Sequence, residues 1–354
     1  MALWRIKNVS LRGVSGTVPN NPVKTSDFPF FTKEEAELFD NTVGIKQRYI
    51  APDDICASDL CLDAAERLIA DLGWTKESID VLVFSSVTSD YRTPPTSAIL
   101  QDRLGLPNTV FVLDLPMGCC GCMYAINVAG NLLSAGTVKR ALCLIGDTAM
   151  RMGSPNDKSR APLFGDSGTA LALEYDTSAE DIIIDFNTLG SSYKALMTPH
   201  GGYRHPITKE DSFTSEDFGN GIIRAPKDAL INGMDVFSFA ITKPSLSVKK
   251  MLDVEGIDKD QDVDYFLIHQ ANKLIVDRLV KKLKLDPLKV PYNLQKFGNL
   301  GGASIPMLMA SEIADELRSK PLTLFCSSFG LGLTWGTMIL KTKPLFTAES
   351  VHYL

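Results

Sequence analysis

Short, unbroken apolar runs separated by longer amphipathic stretches constrain this chain more than any other feature. Asp80 is followed by Val81-Leu82-Val83-Phe84, and similar runs occur at Val110–Leu113, Ala141–Ile145 and Tyr265–Ile268. A strand that is apolar at every position has both faces covered, the condition of a buried parallel strand. Leu62–Leu72 and Ile126–Ala135 carry helical spacing between such runs, so the fold class expected is α/β. An internal echo points further. Asp80–Ser86 resembles Asp264–Gln270, and each precedes a strand, a glycine-containing turn and an apolar helix, at Val110–Leu133 and Val290–Leu317. Any α/β protein repeats its strand–helix units, but a duplicated architecture is the sharper reading.

Composition narrows the function. The chain has 354 residues, 45% of them hydrophobic and 22% charged, which suits a globular protein with a sizeable core rather than a disordered one. Thirty-six Lys and Arg against 42 Asp and Glu give a net charge of −6, opposite to what a dedicated nucleic-acid binder needs. No apolar run approaches the roughly 20 residues of a membrane helix. Met1–Lys7 lacks the apolar core and cleavage site of a signal peptide, so a cytoplasmic protein is expected. The seven cysteines are an odd, irregularly spaced set, which argues against a disulfide framework. Cys119, Cys120 and Cys122 crowd together without the paired spacing of a metal site, so no metal is expected.

Four segments carry the chemistry. In Leu113–Ala125 a strand ends, Pro116 and Gly118 shape a turn, and a helix is expected from about Cys119. Its Cys122, Ile126, Ala129 and Leu133 share one stripe, and Met123, Tyr124, Val128 and Leu132 make the other faces apolar, so it should be buried. A cysteine in the first turn of such a helix sits at the positive end of its dipole, which favours a nucleophilic thiolate. A small core cysteine is the ordinary alternative. Leu267–Asn272 sets His269 just past a strand end, where α/β proteins place their sites. Phe297–Pro306 sets Asn299 in a glycine-rich turn. Phe329–Gly336 is a second glycine-rich stretch, whose backbone N–H groups can form an oxyanion hole.

Together, in this order, the segments resemble the initiating ketoacyl-acyl-carrier-protein synthases, type III, of the thiolase superfamily. Gly44-Ile45 with Arg48 and Ile50, and Phe164-Gly165-Asp166, extend the resemblance over nearly the whole chain. It implies a thiolase-like α/β fold of two pseudo-repeated halves, 1–175 and 176–354, in a five-layer arrangement. It also implies a homodimer, no organic cofactor, and substrates that are acyl and malonyl thioesters of acyl carrier protein or coenzyme A. The family's Asp-x-x-x-x-Cys spacing makes Cys119, five residues after Asp114, the nucleophile. His269 and Asn299 would stabilise the enolate formed when a malonyl unit loses carbon dioxide, and the backbone N–H groups of Cys119 and Leu331 would hold the oxyanion. Transfer of the acyl group to a hydroxyl or amine, or condensation without decarboxylation, are the alternatives within the same fold.

Departures from the family pattern point to a specialised relative. The Trp and Arg that clamp the coenzyme A nucleotide in the bacterial enzymes correspond to Leu38 and Thr42. An expected Asn is Met234, and the Arg expected after His-Gln-Ala-Asn is displaced, leaving Lys273 and Leu274. The middle of the usual triple glycine is Leu331, and a Phe bordering the acyl pocket corresponds to Thr93. Lys273, Arg278, Lys281, Lys282 and Lys284 follow His269 on an amphipathic helix. Such a face can steer an acidic carrier protein or simply be solvated.

Overall fold

The expected parallel core forms around Val81–Ser85 (β3), which pairs in parallel with Phe111–Leu115 (β4) on one side and Arg140–Asp147 (β5) on the other. In this computed structural model, residues 3–207, 210–347 and 351–354 are described. Ser167–Tyr175 (β6) returns antiparallel to β5, and Val9–Val18 (β2) lies antiparallel beyond it. A second sheet repeats the plan. Tyr265–Ile268 (β8) is parallel to Leu322–Gly330 (β9), which is antiparallel to Thr334–Thr342 (β10), with Ile182–Thr188 (β7) beyond. The echo read in the sequence has a physical counterpart. Asp80 and Asp264 precede equivalent strands, and each carboxylate accepts a backbone N–H from the neighbouring strand's start, from Lys139 at 2.6 Å and Thr323 at 2.7 Å.

The layers follow from which faces are apolar. Gly121–Ser134 (the helix called α4 below) and Ser304–Ser311 (α8) are buried between the sheets, and one continuous core joins them to both inner faces. Ala57–Leu72 (α2) and Thr96–Arg103 (α3) cover the outer face of the first sheet. Gly233–Glu255 (α5) and Lys273–Leu283 (α6) cover the outer face of the second. Lys33–Val43 (α1) and the short Leu294–Phe297 (α7) lie in connections. The result is five layers, helix–sheet–helix–sheet–helix.

Two features were not in the sequence reading. Leu3–Ile6 (β1) crosses over to pair with β7 in the second sheet, while Phe346–Thr347 (β11) and His352–Tyr353 (β12) pair with β2 in the first. The strand expected near Val290 is absent. Pro287–Lys289 is a tight turn with Asp286 capping it, and Val290 is followed by Pro291, so this stretch cannot supply a continuous ladder. Among the described residues the second sheet therefore ends at β8, with no counterpart to β4.

Candidate active site

Cys119 is delivered by the turn between β4 and α4. Asp114, near the end of β4, accepts the backbone N–H groups of Thr96 and Ser97 at 2.7 and 2.8 Å, so it caps α3 and fixes the strand end from which the turn departs. The helix begins at Gly121, not at Cys119, so the sulfur lies ahead of the first turn. Cys119 is partly open to a cavity of about 300 Å³, whereas Cys120 and Cys122 are 1% exposed and lie outside it. All seven cysteines are free. Burial pushes the Cys119 thiol up to about 11, a pull that hydrogen bonding to the backbone N–H groups of Leu331 and Cys119 only partly offsets. The resting group is thus a thiol, not the thiolate expected from the helix dipole.

Gly330 explains how the glycine-rich hairpin comes so close. Its φ is 159°, and a Cβ there would lie 2.5 Å from the Cys119 sulfur. Without a side chain the β9–β10 turn lays the Leu331 N–H against the sulfur, alongside the N–H of Cys119 itself.

His269 follows β8 and is 1% exposed. Its Nδ1 lies 3.0 Å from the Ser304 hydroxyl, and its ring packs edge-on against Phe329, with centroids 5.3 Å apart. Nε2 is therefore the ring nitrogen available to the cavity. Burial lowers the imidazole to about 4, so it is neutral at pH 7. Asn299 bridges to Phe164, and its Oδ1 accepts the Gly301 N–H at 3.0 Å. That bond orients the amide and leaves the Nδ2 donor for the cavity. Cys119, His269 and Asn299 share the cavity wall with Gly330 and Leu331.

The sequence reading missed Asp147, which also lines the cavity. Ser86 Oγ and the Val87 N–H donate to Oδ1 at 2.9 and 2.8 Å, and burial raises the carboxyl to about 7. Its signal was present, because it ends the apolar run Ala141–Ile145 and strand ends carry sites. Thr93, expected at the acyl pocket, is exposed in the loop before α3 and is not part of the cavity wall. Leu38, Thr42 and Met234 are exposed as well. Among the described residues no His, Cys, Asp and Glu cluster can hold a metal ion, and no helix is long and apolar enough to cross a membrane.

Comparison with known proteins gives a consistent picture. Residues 113–191 match the family description 3-oxoacyl-[acyl-carrier-protein (ACP)] synthase III, and residues 252–342 match its C-terminal counterpart. The chain is 31% identical over 331 residues to beta-ketoacyl-[acyl-carrier-protein] synthase III of Streptococcus pneumoniae (strain Hungary19A-6), covering 92% of this chain and 97% of that protein. The crystal structure of a 3-oxoacyl-(acyl-carrier protein) synthase from Burkholderia xenovorans LB400 superposes with a TM-score of 0.92 at 33% identity, over 99% of both chains. A synthase III structure from Pseudomonas aeruginosa PAO1 gives 0.82 at 26% identity, covering 96% of this chain and all of that one (100%).

Proposed function

The chain belongs to the 3-oxoacyl-[acyl-carrier-protein] synthase III family of acyl-condensing enzymes, and from that membership we propose that it joins an acyl group held on Cys119 to a malonyl thioester with loss of carbon dioxide. The observation that carries the reading is the convergence of Cys119, His269 and Asn299 on one cavity, with the Leu331 N–H aimed at the sulfur. In loading, the neutral His269 accepts the thiol proton at Nε2 as sulfur attacks the acyl carbonyl. The proton then leaves with the departing thiol, which compensates for a thiol near 11. The Cys119 and Leu331 N–H groups stabilise the tetrahedral oxyanion.

In condensation, His269 Nε2 and Asn299 Nδ2 donate to the malonyl thioester carbonyl. The bond to the carboxylate breaks, carbon dioxide departs, and the electron pair becomes an enolate held by those donors. The enolate carbon attacks the acyl-Cys carbonyl, the new carbon–carbon bond forms, and Cys119 leaves as a thiolate that regains a proton. The Ser304 hydroxyl can donate to or accept from Nδ1, so it supports both histidine tautomers that the two half-reactions require.

The acyl donor fits a carrier protein. Leu38, Thr42 and Met234 offer no stacking or charged contact to a nucleotide, while α6 exposes Arg278, Lys281 and Lys282 with Lys284 at its C-cap. A second copy of the chain would cover the unpaired edge of β4, where Phe111 is 47% exposed. Thr93 would border an acyl pocket only if such a copy carried it there.

Intact-mass spectrometry after incubation with acyl thioesters tests the proposal. The native chain should gain one acyl mass and Cys119→Ala none. Asn299→Ala should still load, yet fail to release carbon dioxide from malonyl thioester, whereas His269→Ala should be slowed in both half-reactions. Loss of the adduct in Cys120→Ala rather than Cys119→Ala would overturn the assignment.

A further inference from the structure

Arg160 lines the cavity, and the proposed condensation chemistry does not use it. It lies between β5 and β6 and is 3% exposed. Nη2 donates to the Ala149 carbonyl at 2.7 Å, and the guanidinium lies over Phe164, 4.8 Å from the ring centre. Nη1 has no hydrogen-bond partner among the described residues. The acids within electrostatic reach are Asp157, Asp166 and Asp228, and each is engaged elsewhere. Asp157 accepts the Ser159 N–H and hydroxyl at Oδ1 and faces Arg224 at 3.5 Å with Oδ2, which has no hydrogen-bond partner among the described residues. Asp166 accepts the Ala51 and Met150 N–H groups, and Asp228 accepts the Ala225 N–H and Lys227.

A buried guanidinium stays charged, and Asp157, Asp166 and Asp228 support this one only at a distance, with no ion pair to it among the described residues. Such a group is compensated when a ligand brings the missing anion. The rest of the wall does not compete for that role. His269 is neutral, and burial holds Asp147 near 7, so Arg160 is the one permanent charge among the described lining residues. Small side chains, Ala149 and Ala229, share the wall with it.

We propose that Arg160 selects an acyl thioester whose acyl group ends in a carboxylate, a dicarboxylic acid monothioester, and pairs with that carboxylate while the thioester carbon sits at Cys119. This deepens the condensing reading and rests on it. A charge-assisted pair in a desolvated site corresponds to roughly 10- to 100-fold in rate or affinity.

The test compares loading of Cys119 by succinyl, glutaryl and adipyl pantetheine with butyryl, pentanoyl and hexanoyl pantetheine. The native enzyme should load at least one diacid tenfold or more faster than the neutral acyl group of equal length. Arg160→Met should reverse that preference while still loading neutral chains, which also shows that it folds. Equal or opposite preference in the native enzyme, or an unchanged ratio in the variant, overturns the inference. So does a variant that loads the diacid normally and loses only malonyl consumption, because the anion subsite would then belong to the extender. Calorimetry on Cys119→Ala with glutaryl and pentanoyl pantetheine separates the two ideas. Tighter diacid binding that Arg160→Met abolishes, with no adduct on the native chain, would sink the condensing chemistry and keep the subsite. Adducts without any diacid preference would do the reverse.

Discussion

Cys119 and His269 share a logic of burial: both are neutral at rest, and in the proposed loading step the thiol proton passes from one to the other. The thiol near 11 sets a measurable expectation. Because the thiolate is the nucleophile, alkylation of Cys119 by iodoacetamide should climb about tenfold per pH unit from pH 7 to beyond pH 9. A plateau near pH 8 would mean that the helix end, not burial, dominates. Ser304 gives the second expectation at this scale. Ser304→Ala leaves Nδ1 of a buried imidazole unpaired, an effect of about 1–3 kcal/mol. Turnover should fall roughly 10-fold or more, with KM for the acyl donor little changed and Ser304→Thr restoring much of the loss. A KM effect alone would assign Ser304 to binding. His269 and Asn299 drew notice because one follows an apolar run and the other sits in a glycine-rich turn, while Cys119 was separated from Cys120 and Cys122 only by the family's Asp-x-x-x-x-Cys spacing. Arg160 was not legible, because nothing in a turn-rich segment reveals which cavity it will face.

At the scale of elements, the apolar runs predicted the buried parallel strands β3, β5 and β8, since continuous burial leaves a composition that amphipathic surfaces do not share, whereas β4, expected buried from Val110–Leu113, is exposed to half-buried. The prediction failed at Val290, where two prolines outweigh an apolar residue. That failure leaves the sheets unequal, and β4 is the edge that the second sheet lacks. Its burial pattern runs from exposed to half-buried along Phe111–Leu115, with the ladder groups of one side unpaired. An edge of this kind invites pairing with another strand. Phe111→Lys with Val112→Lys should convert a dimer into a monomer in sedimentation velocity without unfolding it. A native chain that sediments as a monomer would remove the proposed second copy, and with it the role of Thr93.

The whole molecule is tied together by exchanged ends. β1 completes the second sheet, and β11 and β12 complete the first. Residues 1–175 and 176–354, produced separately, should each lack a strand of their own sheet and expose the face that α4 and α8 share. Each should show low cooperativity on its own, and mixing should restore a single transition in calorimetry. Two halves that melt cooperatively alone would mean that the exchanged strands contribute little. The duplication was legible in the repeat of Asp80 and Asp264, but the exchange was not. Short end strands carry no periodicity that names their partner.

That exchange has a consequence for how the protein is made. Val18 accepts the Leu354 N–H at 3.0 Å, so β2 waits for a strand made well after it. Domains ordinarily settle as they emerge, amino end first. Here the first sheet emerges with an open flank, and the second can start from a strand already in hand. The first sheet is therefore closed late, and until it is the nascent chain offers β2 to any passing strand.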